Sequence, residues 1–192
     1  QRPSESMQLS RHRYSTAPGT SAWWNSIDLF GPGGGGELRP ILLFVGGGGW
    51  QGLDHVNDHA TLAEQVCGCG FVCVVARHRP ARVRLDGLVL LLSVALLPFL
   101  RWPAVLAACA AAALLMRALD RVRRTAPLPV VLMDVAHAVA FVLRHKRECA
   151  AVGGDATRVV LCGNSSGGHL LSLVALDKRW LGTLDAPTEH VR

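Results

Sequence analysis

Acidic and aromatic side chains are both scarce in this sequence. Its 192 residues include 14 Asp and Glu against 20 Lys and Arg, which gives a formal net charge of +6, and aromatic residues make up 6%. Proteins that bind nucleic acid through a basic surface usually cluster those charges and interleave them with aromatic rings. Here the basic residues are scattered or flank apolar segments. We therefore expect no nucleic-acid partner.

The sequence also lacks the spacing of metal ligands. Its six cysteines do not form the paired pattern of a zinc site, and Cys67 and Cys69 are too close to be an ordinary ligand pair. His55 and His59 are four residues apart, but no third ligand follows at metalloprotease spacing. We predict no metal site and interpret the cysteines as buried, reduced thiols.

The most informative stretch is Gly163-Asn164-Ser165-Ser166-Gly167. It follows an apolar run typical of a buried strand, Arg158 to Cys162, and precedes a run typical of a helix, His169 to Leu176. A G-x-S-x-G motif between a strand and a helix is the nucleophile elbow of an α/β-hydrolase. Its glycines permit a very tight turn. The pattern predicts Ser165 as a nucleophile, with the backbone N–H of Ser166 facing a developing oxyanion.

A second glycine run, Gly46-Gly47-Gly48-Gly49-Trp50, follows another apolar run, Ile41 to Val45. With the elbow, it resembles the α/β-hydrolase esterase and lipase group, which includes hormone-sensitive-lipase-like carboxylesterases, isoprenylcysteine methylesterase-like proteins and arylformamidases. Members carry a His-Gly-Gly-Gly-Trp type loop whose backbone N–H groups supply most of the oxyanion hole. The resemblance assigns that role to Gly47, Gly48 and Gly49 together with Ser166. Gly46 stands where the family usually has histidine.

Other segments recur in the family's order. Arg77 and Pro80 match a strand end of the type Tyr-Arg-x-x-Pro, the segment from Asp134 resembles the next helix, and residues 153–158 resemble the loop before the nucleophile strand. The resemblance covers most of residues 26–176. It implies an α/β-hydrolase fold: a mostly parallel sheet with flanking helices, incomplete at the C-terminus and carrying an apolar helical insertion.

The resemblance implies a serine hydrolase that cleaves small-molecule or lipid esters through an acyl-enzyme on Ser165, without a cofactor. Such a serine needs an acid and then a histidine base later in the chain. His169 is expected to point away from the hydroxyl and pack. The family's acid and base lie on later strands, whereas the remaining candidates in this sequence lie very close to the nucleophile helix. These candidates are Asp177, Asp185, Glu189 and His190.

We therefore expect residues 1–192 to be an inactive N-terminal fragment of an active hydrolase. The alternatives are a non-catalytic, hydrolase-like protein that binds a membrane or a partner, and an arylformamidase-type amide hydrolase. Residues 1–22 are predicted to be a disordered lead. Residues 23–192 would form a partial hydrolase domain, interrupted by an insertion at 82–126.

The insertion contains a long apolar stretch, residues 85–116, bracketed by arginines. Its two arms flank Arg101-Trp102-Pro103, and each is shorter than the roughly 20 residues that a membrane-spanning helix requires. One tilted helix, a helical hairpin in the membrane, and a lid helix over the active site all fit this pattern. We predict membrane contact, with the active domain facing the cytoplasm. A cytoplasmic protein is the alternative.

Overall fold

The computed structural model describes residues 7–17, 19–50, 59–82 and 125–186, together with isolated positions between 107 and 118. The strands are β1 (Gln8–Arg13), β2 (Ser26–Gly31), β3 (Arg39–Val45), β4 (Val72–Ala76) and β5 (Gly154–Gly163). The helices are α1 (His59–Gly68), α2 (Leu128–Arg144), α3 (Lys146–Ala151), α4 (Ser166–Leu176) and α5 (Arg179–Gly182). The apolar run Ile41 to Val45 lies in β3, and the run Arg158 to Cys162 lies in β5.

The strands form one mixed sheet in the order β1-β2-β4-β3-β5. β1 and β2 pair antiparallel, as do β2 and β4, whereas β3 runs parallel to both β4 and β5. The last residue of β3, Val45, lies beside the last residues of β4 and β5, Ala76 and Gly163. The segments that follow these three strands therefore begin at the same edge of the sheet.

β4 is buried on both faces along its whole length, which explains why all of its residues are apolar. In β4, Val72 and Val74 belong to the larger core, which also contains the apolar face of α2. The alternate residues, Cys73 and Val75, pack in a smaller core with Ala63 of α1. Alternate residues of a strand face opposite sides of the sheet. α1 therefore lies on one face of the sheet, and α2 and α4 lie on the other.

α2 begins at Leu128, with Pro127 at its N-cap. Pro129 lies in its first turn, where a missing N–H removes no helical hydrogen bond. The helix ends at Arg144, and His145 separates it from α3. Most of its residues from Val131 to Leu143 are buried.

The prediction of disorder is wrong for residues 8–13, which form β1. β1 pairs with β2 along its whole length, so the backbone groups of this polar segment that face β2 are satisfied by the sheet. The Arg11 guanidinium also donates to both carboxylate oxygens of the buried Asp28, over 2.6 and 2.9 Å. A polar sequence is therefore ordered here by a strand ladder and an ion pair, without apolar burial of its own.

The described cysteines are free thiols, but not all of them are buried as expected. Burial raises the pKa of both Cys73 and Cys149 to about 12. Cys69 and Cys162 are exposed, because Cys69 lies in the turn after α1 and Cys162 lies on β5, at the edge of the described sheet.

The predicted apolar insertion lies almost entirely outside the described residues, but its two ends are seen. Ala81 and Ala126 form an isolated parallel bridge. The N–H of Arg82 donates to the Ala126 carbonyl over 2.7 Å, and the N–H of Ala126 donates to the Pro80 carbonyl over 2.8 Å. The segment therefore leaves and rejoins the domain at one place. Within the described ranges, no helix combines the length and the apolar character that crossing a membrane requires.

Candidate active site

Ser165 occupies the turn between β5 and α4. Its backbone has φ 49° and ψ −122°, a conformation that residues other than glycine rarely adopt, and α4 begins at the next residue. Such strain costs on the order of 1–3 kcal/mol and is typical of functional positions. Ser165 is exposed, whereas the neighbouring Ser166 is buried. The predicted nucleophile therefore lies at the surface, on a strained turn, next to the positive end of α4.

The two glycines of the motif are required by close backbone packing. A Cβ on Gly163 would lie 2.5 Å from the Gly168 nitrogen, so any side chain there would collide with the first turn of α4. A Cβ on Gly167 would overlap the carbonyl oxygens of Val45 and Gly46. The helix of the nucleophile thus lies directly against the end of β3 and the start of the glycine loop, residues 46–50.

The glycine loop passes beside the nucleophile. A Cβ on Gly47 would be 3.0 Å from the Asn164 carbonyl oxygen and 3.1 Å from the Ser165 Cβ. The N–H of Asn164 donates to the Val45 carbonyl over 3.2 Å, which ties the elbow to the strand that carries the loop. The structure therefore brings together the two motifs that the sequence separates by more than a hundred residues.

Gly48 and Gly49 continue the loop with φ 102° and φ 61°. Within the described part of the chain, their N–H groups and that of Ser166 donate no hydrogen bond, whereas those of Gly167 and Gly168 donate to the Asn164 carbonyl. The three unengaged donors are predicted oxyanion donors. The N–H of the fourth, Gly47, likewise donates no hydrogen bond within the described part of the chain, and this residue lies against the elbow.

Trp50 ends the glycine loop and is held at two points. Its carbonyl accepts a hydrogen bond from the Ala81 N–H over 2.6 Å. Its indole N–H points to Nδ1 of His169 over 3.3 Å, and the two rings meet edge to face with centroids 5.6 Å apart. His169, which was expected to pack, is exposed and contacts Trp50. Sequence reasoning missed this contact, although both residues follow strands that end at the same sheet edge.

The segment after β4 is fixed by a buried ion pair that the sequence did not reveal. The Arg79 guanidinium donates to both carboxylate oxygens of Asp134 on α2, over 2.8 and 2.7 Å. The hydrogen bond to Asp134 raises the pKa of Arg79. This pair attaches to α2 the backbone that leads to Ala81, whose N–H holds the Trp50 carbonyl.

A general base for Ser165 is not found among the described residues. Within residues 7–82 and 125–186 as far as they are described, no hydrogen bond joins the Ser165 hydroxyl to a histidine or a carboxylate. The carboxylate of Asp177 pairs with Arg179 over 2.7 Å, and Asp185 lies in the turn after α5. Glu189 and His190 lie outside the described residues.

Comparison with known proteins gives one family match and many structural matches. A family model described as BD-FAE matches residues 114–188, which contain the elbow but make up less than half of the chain. No curated protein matches the sequence significantly.

Several solved esterases share the fold. Brefeldin A esterase, described as a bacterial homologue of human hormone sensitive lipase, is 23% identical over 93% of this chain and 37% of its own, with a TM-score of 0.56. Esterase Est22 is 17% identical over 96% of this chain and 41% of its own, with a TM-score of 0.61. Esterase B from Lactobacillus rhamnosis is 14% identical over 96% and 45%, with a TM-score of 0.55.

The chain thus spans about two fifths of the length of these esterases. The matches extend over nearly all of the chain itself. They confirm the predicted resemblance and the predicted fold class. The chain has the α/β-hydrolase fold, in a form similar to that of brefeldin A esterase and esterase Est22.

Proposed function

We propose that Ser165 is the nucleophile of a hydrolase that cleaves carboxylic esters. The observation that carries this proposal is the backbone of Ser165, a non-glycine residue at φ 49° between β5 and α4, packed beside the glycine loop. A turn that serves only to connect a strand to a helix does not need a strained serine. The esterase names of the structural neighbours support the same reaction class.

In this proposal, the Ser165 Oγ forms a bond to the acyl carbon while its proton passes to a general base. The N–H groups of Gly48, Gly49 and Ser166 stabilise the resulting oxyanion, and each such donor typically contributes on the order of 3 kcal/mol to transition-state stabilisation. The C–O bond to the alcohol then breaks, and the alcohol leaves with the proton. Water, activated by the same base, hydrolyses the acyl-enzyme. No cofactor takes part in these steps.

The base and the acid that orients it would come from residues outside the described ranges. The reason is that, among the described residues, no histidine or carboxylate forms a hydrogen bond with the Ser165 hydroxyl. We accordingly propose that residues 1–192 alone do not turn over esters, and that the full-length gene product does. We propose small-molecule and lipid esters as the substrate class, because the structural neighbours are named as esterases.

Labelling of the full-length product with a fluorophosphonate tests the proposal. We expect a stable adduct with loss of fluoride in the wild type and none in Ser165→Ala. Ser172→Ala is the matched control: Ser172 lies on the same helix, but its hydroxyl donates to the Gly168 carbonyl over 2.8 Å. Its labelling should be unchanged. An unlabelled wild type would contradict the proposal and favour a non-catalytic, hydrolase-like binding protein.

Hydrolysis assays separate the two enzyme classes. We expect the product to cleave p-nitrophenyl butyrate, and to prefer it over an aryl formamide. The opposite preference would indicate an arylformamidase-type amide hydrolase. Because both reactions use the same acyl transfer to Ser165, the labelling result alone does not distinguish them.

Membrane contact through residues 85–116 is a second part of the proposal. Two described residues of this segment support it, since Leu114 and Leu115 are 66% and 60% exposed. Exposed leucines are favoured where lipid or a partner covers them. Liposome flotation of the wild type and of Leu114→Glu/Leu115→Glu tests this, and we expect the double variant to stay with the soluble fraction. Equal flotation of both proteins would contradict membrane contact through these leucines.

A further inference from the structure

The contact between Trp50 and His169 joins the two halves of the candidate active site. Trp50 is the last residue of the glycine loop, and His169 lies in the first turn of α4. The His169 backbone N–H donates to the Ser165 carbonyl over 3.1 Å. The imidazole that accepts the indole N–H is therefore attached through one helical turn to the nucleophile itself.

The glycine loop needs such an anchor because its backbone has little intrinsic preference. Gly48, Gly49 and Trp50 all have positive φ, at 102°, 61° and 62°. Glycines adopt these and many other conformations readily, so the loop can move easily. Trp50 also occupies a conformation that is unfavourable for a bulky side chain. External contacts must therefore hold the end of the loop, and the structure shows two of them, to Ala81 and to His169.

We propose that Trp50 and His169 are positioning residues, whose hydrogen bond fixes the oxyanion donors of the glycine loop relative to Ser165. The inference rests on the proposed function for its catalytic consequence. Neither side chain needs to touch the substrate. Oxyanion stabilisation depends on donors about 3 Å from the oxygen, so a loop that drifts by a fraction of an ångström loses much of their effect.

A double-mutant cycle with a conservative rescue tests the proposal. Trp50→Phe keeps an aromatic ring but removes the indole N–H, and His169→Leu removes the acceptor. Each should slow fluorophosphonate labelling of Ser165 by between about twofold and tenfold, the effect of one ordinary hydrogen bond. Trp50→Phe/His169→Leu should be no slower than either single variant, because both remove the same contact.

His169→Asn provides the rescue, since its side-chain oxygen can accept a hydrogen bond near the position of Nδ1. It should retain most of the wild-type rate. For ester hydrolysis, Trp50→Phe should lower kcat with little change in KM, because the donors act on the transition state. Matched controls are Trp23→Phe, on the loop before β2, and His12→Asn, on β1, and neither should change the rate.

Either of two labelling results would overturn the inference: labelling that is unaffected by Trp50→Phe, or single effects that multiply in the double variant. An indole N–H resonance, assigned to Trp50 by its loss in Trp50→Phe, tests the contact without any activity. It should shift in His169→Leu and stay near its original position in His169→Asn. A Trp50 resonance that does not move in His169→Leu would also overturn the inference. If the Trp50 resonance shifts in His169→Leu but the wild type takes no label, the result contradicts the proposed function and not the contact. The two failures can therefore be told apart.

Discussion

Substitution of Gly167 by alanine should reduce the reactivity of Ser165 much more than it reduces the stability of the fold. The new Cβ would lie 2.7 Å from the Val45 carbonyl carbon and would overlap the carbonyl oxygens of Val45 and Gly46. Carbon atoms normally approach to about 3.5–4.0 Å. Either α4 or the end of β3 must therefore move by about 1 Å.

The magnitudes predict a modest loss of stability and a large loss of reactivity. Overpacking costs roughly 1–3 kcal/mol, and the helical preference of alanine over glycine returns up to about 1 kcal/mol. The net loss should be about 1–2 kcal/mol. A displacement of about 1 Å between a nucleophile and its catalytic partners can reduce the rate by about a hundredfold. Gly167→Ala should therefore fold, yet label at about one hundredth of the wild-type rate.

Urea unfolding and fluorophosphonate labelling measure the two effects in the same preparation. Gly182→Ala is the matched control, because a Cβ on Gly182 at the end of α5 meets nothing within 4 Å. That variant should be as stable as the wild type or slightly more so, with an unchanged labelling rate. If Gly167→Ala matched the wild type in both measurements, the tight contact between α4 and β3 would be refuted.

Three further predictions concern the buried polar groups. Asp134→Asn should lower the free energy of unfolding by about 3–5 kcal/mol in urea, because it leaves the Arg79 guanidinium in a buried site without its carboxylate; a loss under 1 kcal/mol would contradict a buried pair. Tyr14→Phe should cost about 1–3 kcal/mol by the same assay, since the hydroxyl donates to the Arg77 carbonyl over 2.5 Å in the core; no loss would show that water replaces it. Burial raises the pKa of Asp28, but hydrogen bonds from Arg11 and Arg77 outweigh it and lower that pKa below its usual 3.8. The wild type should therefore lose stability as the pH falls below about 4, through the folded-state pKa, and Asp28→Asn should lose less over the same range; equal losses would rule out this contribution.

The sequence predicted the elements whose signals are local. Apolar runs of five residues, each followed by a glycine, identified β3 and the end of β5. The elbow was recognisable because close backbone contacts favour glycine at Gly163 and Gly167, and the glycine loop because Gly48 and Gly49 have positive φ.

The features that sequence reasoning missed depend on contacts between distant segments. β1 is polar, and only its pairing with β2 and the Arg11–Asp28 ion pair order it. An aspartate within the apolar run of β2 was the available signal, since a buried carboxylate needs a cationic partner. The contact of Trp50 with His169 spans 119 positions. No local pattern predicts it, although the shared sheet edge makes it possible.

Trapping of an acyl-enzyme tests the central claim most directly. The full-length product would be mixed with p-nitrophenyl butyrate, quenched in acid within milliseconds and digested with trypsin. Cleavage after Arg158 and Lys178 releases Val159–Lys178, which contains Ser165 together with Ser166 and Ser172. Our account predicts a butyryl group on this peptide, assigned to Ser165 by fragmentation. A product that hydrolyses the ester while carrying the acyl group on another residue, or none on this peptide, would contradict it.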